Sequence, residues 1–325
     1  MAQLVHNLPW VESPFFEREL EAMDLSQADK DFIKFYAENG YVIFDPQIDE
    51  SVIEAVKTEL KEYHEIYVRK NKRTHFSPHR IQDAWTFNEH VKQIALSRVV
   101  LEKLQLLYGR RPIPFQTLNF DMGTQQATHS DMIHFSSIPE RFMCGVWVAL
   151  EDVTEDNGPL HYYPGSHKLP FYEMSDMGVK ASGSLKTGYM KYTDYYEVFI
   201  EEVIKSLGLE KKKLLIKKGQ ALIWAANLLH GGELINNPAT TRHSQVSHYY
   251  FENCTYYTPL LTDLAIKKIY LKKIIDISTG KKVPNKYLGD IVKDTVGNTL
   301  MDTLLEIIPE PLRKFYRSLK YKDEK

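Results

Sequence analysis

Thr128–Phe135 reads Thr-His-Ser-Asp-Met-Ile-His-Phe, with an imidazole at 129, a carboxylate at 131 and a second imidazole at 134. Alternate residues of an extended strand face one side and rise about 6.6 Å over two positions, so His129 and Asp131 can converge on one ion. Imidazole with carboxylate is a donor pair suited to Fe(II), Mn(II) or Zn(II), and two imidazoles with one carboxylate leave positions open for other ligands. A lone His-x-Asp pair is common by chance, so the third ligand carries the weight. The candidates are His134, His161, His167, His230 and His248. His230 ends the apolar run Ala221–Leu229 and precedes Gly231-Gly232, where the backbone turns and leaves space for a ligand. His134 reaches the same place only across a bulge and reads as a surface or supporting group. His161 and His167 lie in the turn-rich stretch 158–167 and read as structural.

Around this stretch the chain has a β texture. The runs Phe115–Asp121, Phe142–Val153, Gln220–Asn227 and His243–Asn253 are short, rich in β-formers and divided by Gly, Pro and Asn. Upstream the pattern is helical. Ser26–Gly40 opens with a capping-box-like Ser26 and Asp29 and stops at Asn39-Gly40, and Tyr41–Asp45 then reads as a strand. The spacing predicts further helices over Asp49–Tyr67 and Val91–Tyr108, the latter closed by Gly109. Between Lys168 and Lys212 lies a longer excursion with a helix near Tyr195–Leu207. Past Pro259 the apolar spacing is again helical, clearest at Asn298–Ile308 and Pro311–Leu319. The expected fold is α+β with a mainly β core: one domain over 1–325, with a helical lead-in (1–112), a β core (113–258) and a helical tail (259–325).

Three segments taken together resemble the phytanoyl-CoA dioxygenase-like family of Fe(II)/2-oxoglutarate oxygenases. They are Thr128–Phe135, the run 146–168 with its Asn157-Gly-Pro-Leu and Pro164-Gly-Ser-His elements, and the run 227–251. The helical lead-in and Arg80–Trp85 also fit, so the likeness covers roughly residues 25 to 255 in the family's order. It implies a double-stranded β-helix, the jelly-roll of cupin-like barrels, that holds Fe(II) and 2-oxoglutarate and uses O2. It carries the metal ligands onto His129, Asp131 and His230, and the arginine for the distal carboxylate of 2-oxoglutarate onto Arg242. A guanidinium suits that task because it is planar, binds a carboxylate bidentately and keeps its charge. The adjacent His243 is shorter and titratable. The likeness places Asn119 as a hydrogen-bonding partner of 2-oxoglutarate and Trp147 as an aromatic wall of its pocket. From the residues alone both are core strand positions. A small hydroxyl residue commonly stands two after the distal histidine, and here that position is Gly232. A carboxylate at 131 implies hydroxylation, since related halogenases keep that position small. Asp83 and Trp85 are candidates to line the substrate pocket or to pack.

The chain has 325 residues, 43% hydrophobic, with 20 Tyr and 15 Phe, which is a globular composition. A net charge of −2 gives no sign of a nucleic-acid partner. Two cysteines, Cys144 and Cys254, form no Cys-x-x-Cys pair and suit a reducing compartment. The first 20 residues lack a basic segment followed by a long apolar core, and no run of about 18 apolar residues exists. A cytoplasmic enzyme acting on a small-molecule substrate is the expectation. From Ile266 onward, 14 basic against 8 acidic residues give +6, which leaves −8 for the rest. That tail reads first as a solvated helical surface, with peripheral membrane contact as the minority reading. The rivals are a Zn or Mn hydrolase or isomerase on a cupin-like barrel, which needs no Arg242, an inactive binding protein on the same fold, and a lipid-binding adaptor. The basic run Arg69–Arg73 reads as a solvated loop. Neither the oligomeric state nor the substrate is written in any residue pattern.

Overall fold

The computed structural model describes residues 7–70, 79–181 and 185–292. In chain order the elements are α1 (Phe16–Ala22), α2 (Gln27–Asn39), β1 (Tyr41–Phe44), α3 (Glu50–Lys70), β2 (Arg80–Gln82), α4 (Glu89–Ala95), α5 (Arg98–Tyr108), β3 (Pro112–Phe120), β4 (Ser136–Ile138), β5 (Met143–Ala149), β6 (Leu160–Tyr162), α6 (Leu185–Lys191), α7 (Val198–Leu207), β7 (Lys212–Lys213), β8 (Ala221–Ala225), β9 (His230–Gly232), β10 (Ser244–Phe251), β11 (Thr255–Tyr257), β12 (Ile274–Asp276), β13 (Lys281–Val283), β14 (Lys286–Tyr287) and β15 (Asp290–Ile291).

Local chemistry sets the ends of the lead-in helices. The Ser26 side chain accepts from the Asp29 backbone N–H, and Gly40 closes α2 in the left-handed region at φ 77°, which a side chain would strain. Ile33, Tyr36 and Ala37 of α2 are buried, and complete burial of one large apolar side chain contributes roughly 1.5–3 kcal/mol. The helix expected over Val91–Tyr108 is two helices. Ser97 caps α5 by accepting from the Val100 N–H, and that non-helical cap breaks the periodicity. Of the basic run at 69–73, α3 carries 69–70 and the remainder lies outside the described residues.

Six strands form an antiparallel sheet in the order β1-β8-β5-β10-β3-β2, and three form a smaller one, β7-β6-β9. The central strands are buried on both faces, so period two sorts apolar side chains between two clusters instead of separating apolar from polar. On β5 and β8, Val146, Val148 and Ile223 join the helices and the rest of the larger core. Trp147, Leu222 and Trp224 face the other way and meet Leu160 and Tyr162 of the smaller sheet. Register aligns the inward positions in rows: Val246 pairs with both Leu118 and Trp147, and His248 pairs with both Gln116 and Gly145. Gly145 in turn faces Trp224. These rows floor the space between the two sheets.

Past Pro259 the described chain departs from the helical expectation. It forms single 3-10 turns at Pro259–Leu261 and Leu264–Ile266, then the hairpins β12-β13 and β14-β15. Leu260, Leu271 and Ile274 are buried, and the Ile277 N–H donates to Pro114 O on β3, so this segment returns to the sheet. Its apolar spacing marks contacts with the sheet and not one continuous helical face. The helices expected at 298–308 and 311–319 lie outside the described residues.

Candidate active site

A cavity of about 340 Å³ opens between the sheets, and His129, Asp131, His230, Trp147, Trp224 and Arg242 are among its walls. His129 and His230 come together because their backbones pair, with mutual N–H to carbonyl bonds of 2.9 and 3.0 Å. The stretch around His129 is extended only that far, since Asp131 already starts a 3-10 turn (Asp131–Ile133) capped by Ser130. The turn brings the carboxylate back beneath the two rings. One donor atom from each residue of the triad lies within 4.8 Å of the others, and among the described residues no other such group occurs.

Hydrogen bonds orient each ligand. His129 Nδ1 donates to Ala127 O and His230 Nδ1 to Leu228 O, both at 2.9 Å. Each bond engages Nδ1 and so makes Nε2 the nitrogen that a metal would take. Trp224 Nε1 donates to Asp131 Oδ2 at 2.8 Å, and His248 Nε2 stands 3.5 Å from the same oxygen. Asp131 Oδ1 lies 3.7 Å from His129 Nε2. Burial alone would raise the Asp131 carboxyl, but the charge of His230 and the hydrogen-bonding groups of His129 and His248 hold it well below the ordinary range. Burial pushes His230 down to about 4 against the pull of Asp131, so its ring is neutral at pH 7. For His129 burial is overcome by the neighbouring Asp131, and the ring is held above its ordinary value. An anionic carboxylate between two imidazoles is a donor set that fits Fe(II).

Arg242 lies just before β10 and is wholly buried, at 0% exposure. Its Nη1 donates to Gly158 O at 2.8 Å, while Nε and Nη2 have no partner among the described residues. Burial lowers it to about 10, still charged at neutral pH. Two unpaired, buried N–H groups of a guanidinium are costly unless a ligand accepts from them. A carboxylate meets that need bidentately. Trp147 lines the same space, its ring centroid 5.6 Å from the Arg242 Cζ.

Asn119 faces away from the cavity. Leu118 and Phe120 line the cavity, and the intervening residue of a strand faces the other side. Asn119 accordingly donates to Gln245 Oε1 at 3.1 Å, and Gln245 donates onward to Val91 O of α4. It ties the sheet to the helices and is not among the residues that line the cavity. Asp83 and Trp85 also sit outside the cavity: the Trp85 indole donates to Asp83, and the Thr117 N–H donates to the same carboxylate. His161 pairs with Glu233 at 2.8 Å and His167 is bonded to Ala37 O, both supporting loops as expected. His134 does line the cavity, stacked on Tyr189 and tilted against Tyr192. At Gly232 a Cβ would lie 2.8 Å from Thr124 Oγ1 and 2.9 Å from the Gln125 N, so Thr124 occupies the room a hydroxyl residue would need.

Trp224, Gln126 and Lys272 were not singled out by the sequence, yet all three line the cavity. The Gln126 amide sits 3.3 Å from His129 Nε2. Trp224 had one signal. Gly145 interrupts an otherwise bulky strand, and a Cβ there would fall 2.2 Å from the Trp224 ring, so the indole lies flat across β5.

Residues 36–244 match the family model described as Phytanoyl-CoA dioxygenase (PhyH). The chain belongs to the phytanoyl-CoA dioxygenase family. Among solved structures, the α-ketoglutarate-dependent carbocyclase SnoK of nogalamycin biosynthesis is similar at TM-score 0.53 and 14% identity, over 84% of this chain and 95% of that one. The epimerase SnoN of the same biosynthesis matches at 0.51 and 17%, over 70% and 83%. EctD from S. alaskensis, with bound Fe, matches at 0.51 and 14%, over 79% and 83%. No curated protein sequence matches. The family match together with the intact His129, Asp131 and His230 supports the Fe(II) and 2-oxoglutarate expected from the sequence, and the triad, Arg242 and Trp147 lie at one place. Among the described residues, no helix is long and apolar enough to cross a membrane.

Proposed function

We propose that this protein is a non-haem Fe(II)- and 2-oxoglutarate-dependent dioxygenase that hydroxylates an unactivated C–H bond of a small-molecule or lipid-, acyl- or sugar-linked substrate. His129, Asp131 and His230 would hold the iron, and Arg242 with Trp147 would hold the distal carboxylate of 2-oxoglutarate. The observation that carries this reading is the buried guanidinium of Arg242, with Nε and Nη2 unpartnered, in the same cavity as the triad. When bound, iron and 2-oxoglutarate supply an oxidant from O2 with release of succinate and CO2. The chain supplies the rest: imidazoles locked by backbone carbonyls, a carboxylate fixed by Trp224, and a cavity walled by Leu118, Phe120, Trp147 and Val246 that keeps water from the reacting C–H. A Zn or Mn hydrolase or isomerase on a cupin-type barrel has no use for Arg242.

The two sheets fit as halves of a double-stranded β-helix, with residues 1–325 as one domain, and the composition suits the cytoplasm. For the basic tail, packing on the sheet is preferred over a lipid surface, since residues 259–277 already return to β3. A screen of metabolites for substrate-stimulated succinate formation by the Fe(II)-loaded protein tests the central reading. Succinate that depends on both 2-oxoglutarate and an added metabolite is expected. Turnover of substrate with Zn(II) and without 2-oxoglutarate would instead establish the hydrolase or isomerase.

A further inference from the structure

Lys272 comes from the segment between β11 and β12, beyond the 36–244 match to the family, yet it lines the same cavity as the triad. Its backbone is pinned on both sides: its N–H donates to Tyr256 O at 2.7 Å, and its carbonyl accepts from Asn285 Nδ2 at 3.2 Å. The Nζ lies 4.3 Å from the ring centroid of Phe135, which is 4.9 Å from the ring of His248, itself beside Asp131. Among the described residues no hydrogen bond or ion pair reaches that ammonium group, and Asp83 acts on it only at a distance. Gln82, Gln116, His134 and Arg80 line the cavity with it, and Asp131 is the one carboxylate in the described wall.

Charge balance turns this into a statement about the ligand. A dicationic metal, a dianionic 2-oxoglutarate, Asp131 and Arg242 sum to zero, so the other two cations of the wall, Arg80 and Lys272, are in excess. Lys272 is half-buried in that wall, and among the described residues no anion pairs with its ammonium. We propose that Lys272 is a substrate-binding residue that pairs with a single carboxylate of the substrate, so that the preferred substrates are compact carboxylic acids. This rests on the reading of the site as an Fe(II)/2-oxoglutarate centre. Burial lowers Lys272 to about 8, as expected of a cation whose counter-ion arrives with a ligand. One ammonium acts as a point charge and balances one carboxylate. The polar Gln82 and Gln116 beside it are amides, which add hydrogen bonds and no charge.

The test uses full-length protein loaded with redox-inert Ni(II) and 2-oxoglutarate, with occupancy of both measured first. Small carboxylic acids, their primary amides and matched phosphate monoesters are then titrated by calorimetry against the parent, Lys272→Gln and Lys272→Arg. Acids are expected to bind, amides at least tenfold more weakly. Lys272→Gln should lose the preference while keeping Ni(II) and 2-oxoglutarate affinity, and Lys272→Arg should retain part of it. Acids and amides binding alike, phosphates binding best, or an undiminished acid preference in Lys272→Gln would each overturn the proposal. Failure of the parent to take up Ni(II) and 2-oxoglutarate would refute the underlying reading of the site, and that loss is visible before any acid is added.

Discussion

Trp224 has one hydrogen-bonding atom, and it is spent on Asp131 Oδ2 at 2.8 Å. Removing a group that orients a metal ligand typically costs about 10–100-fold in metal affinity. Trp224→Phe keeps an aromatic ring and deletes the N–H, so a competitive chelator titration should show metal affinity reduced by roughly tenfold or more. Unchanged affinity with an intact fold would show that Asp131 is oriented without it. Gly232 makes a second residue-scale case. A side chain there would meet both Thr124 Oγ1 and the backbone N of Gln125, and backbone cannot rotate away. Gly232→Ser should therefore cost on the order of 1–3 kcal/mol in urea denaturation. Adding Thr124→Ala should relieve only part of that cost, and complete recovery would locate the whole clash at the hydroxyl.

At the scale of elements, β5 and β8 are the pair that matters, because the missing side chain of Gly145 is what lets the Trp224 indole cross to the triad. Gly145→Ala should lower both the unfolding midpoint and metal affinity, and a loss of stability with full metal affinity would separate the two roles. The strands and their order along the chain were legible because apolar β-formers between turn residues announce themselves locally. His129 and Asp131 were legible through their spacing, His230 and Arg242 through the likeness to the family, and the four converge in the structure. What failed was facing. Asn119 is one position off the cavity face of β3, and parity in a strand buried on both sides leaves no polar alternation to read. The break at Ser97 and the hairpins after Pro259 were hidden for a related reason, since apolar spacing alone does not tell one long helix from two, or a helix from short strands on a sheet. Lys272 was invisible because its meaning depends on what it faces, 141 positions along the chain from Asp131.

Over the whole molecule, burial of neutral histidines gives stability a pH dependence. Burial pushes His64, His161, His167 and His230 down to about 4, and His134 to about 3, against about 6.5 in an unfolded chain. Between pH 6.5 and 4 the unfolded chain binds protons that the folded chain refuses, so stability is complete above that window and falls as pH drops through it. Urea midpoints of the metal-free protein should decline steadily from pH 7 to 4.5. His167→Gln, remote from the triad and bonded to Ala37 O in the parent, should flatten part of that slope. An unaltered slope would mean that His167 titrates alike in both states. The central claim, that one cavity holds Fe(II) through His129, Asp131 and His230 and 2-oxoglutarate through Arg242, is tested most directly by anaerobic titration of 2-oxoglutarate into the Fe(II)-loaded protein, followed by the visible charge-transfer absorption of the chelate. One equivalent per chain is expected, with no band in His230→Ala. In Arg242→Ala the band should need at least tens of fold more 2-oxoglutarate, as loss of a buried charged partner costs about 2–5 kcal/mol. A band that persists in His230→Ala, or an Arg242→Ala titration that overlays the parent, would contradict it.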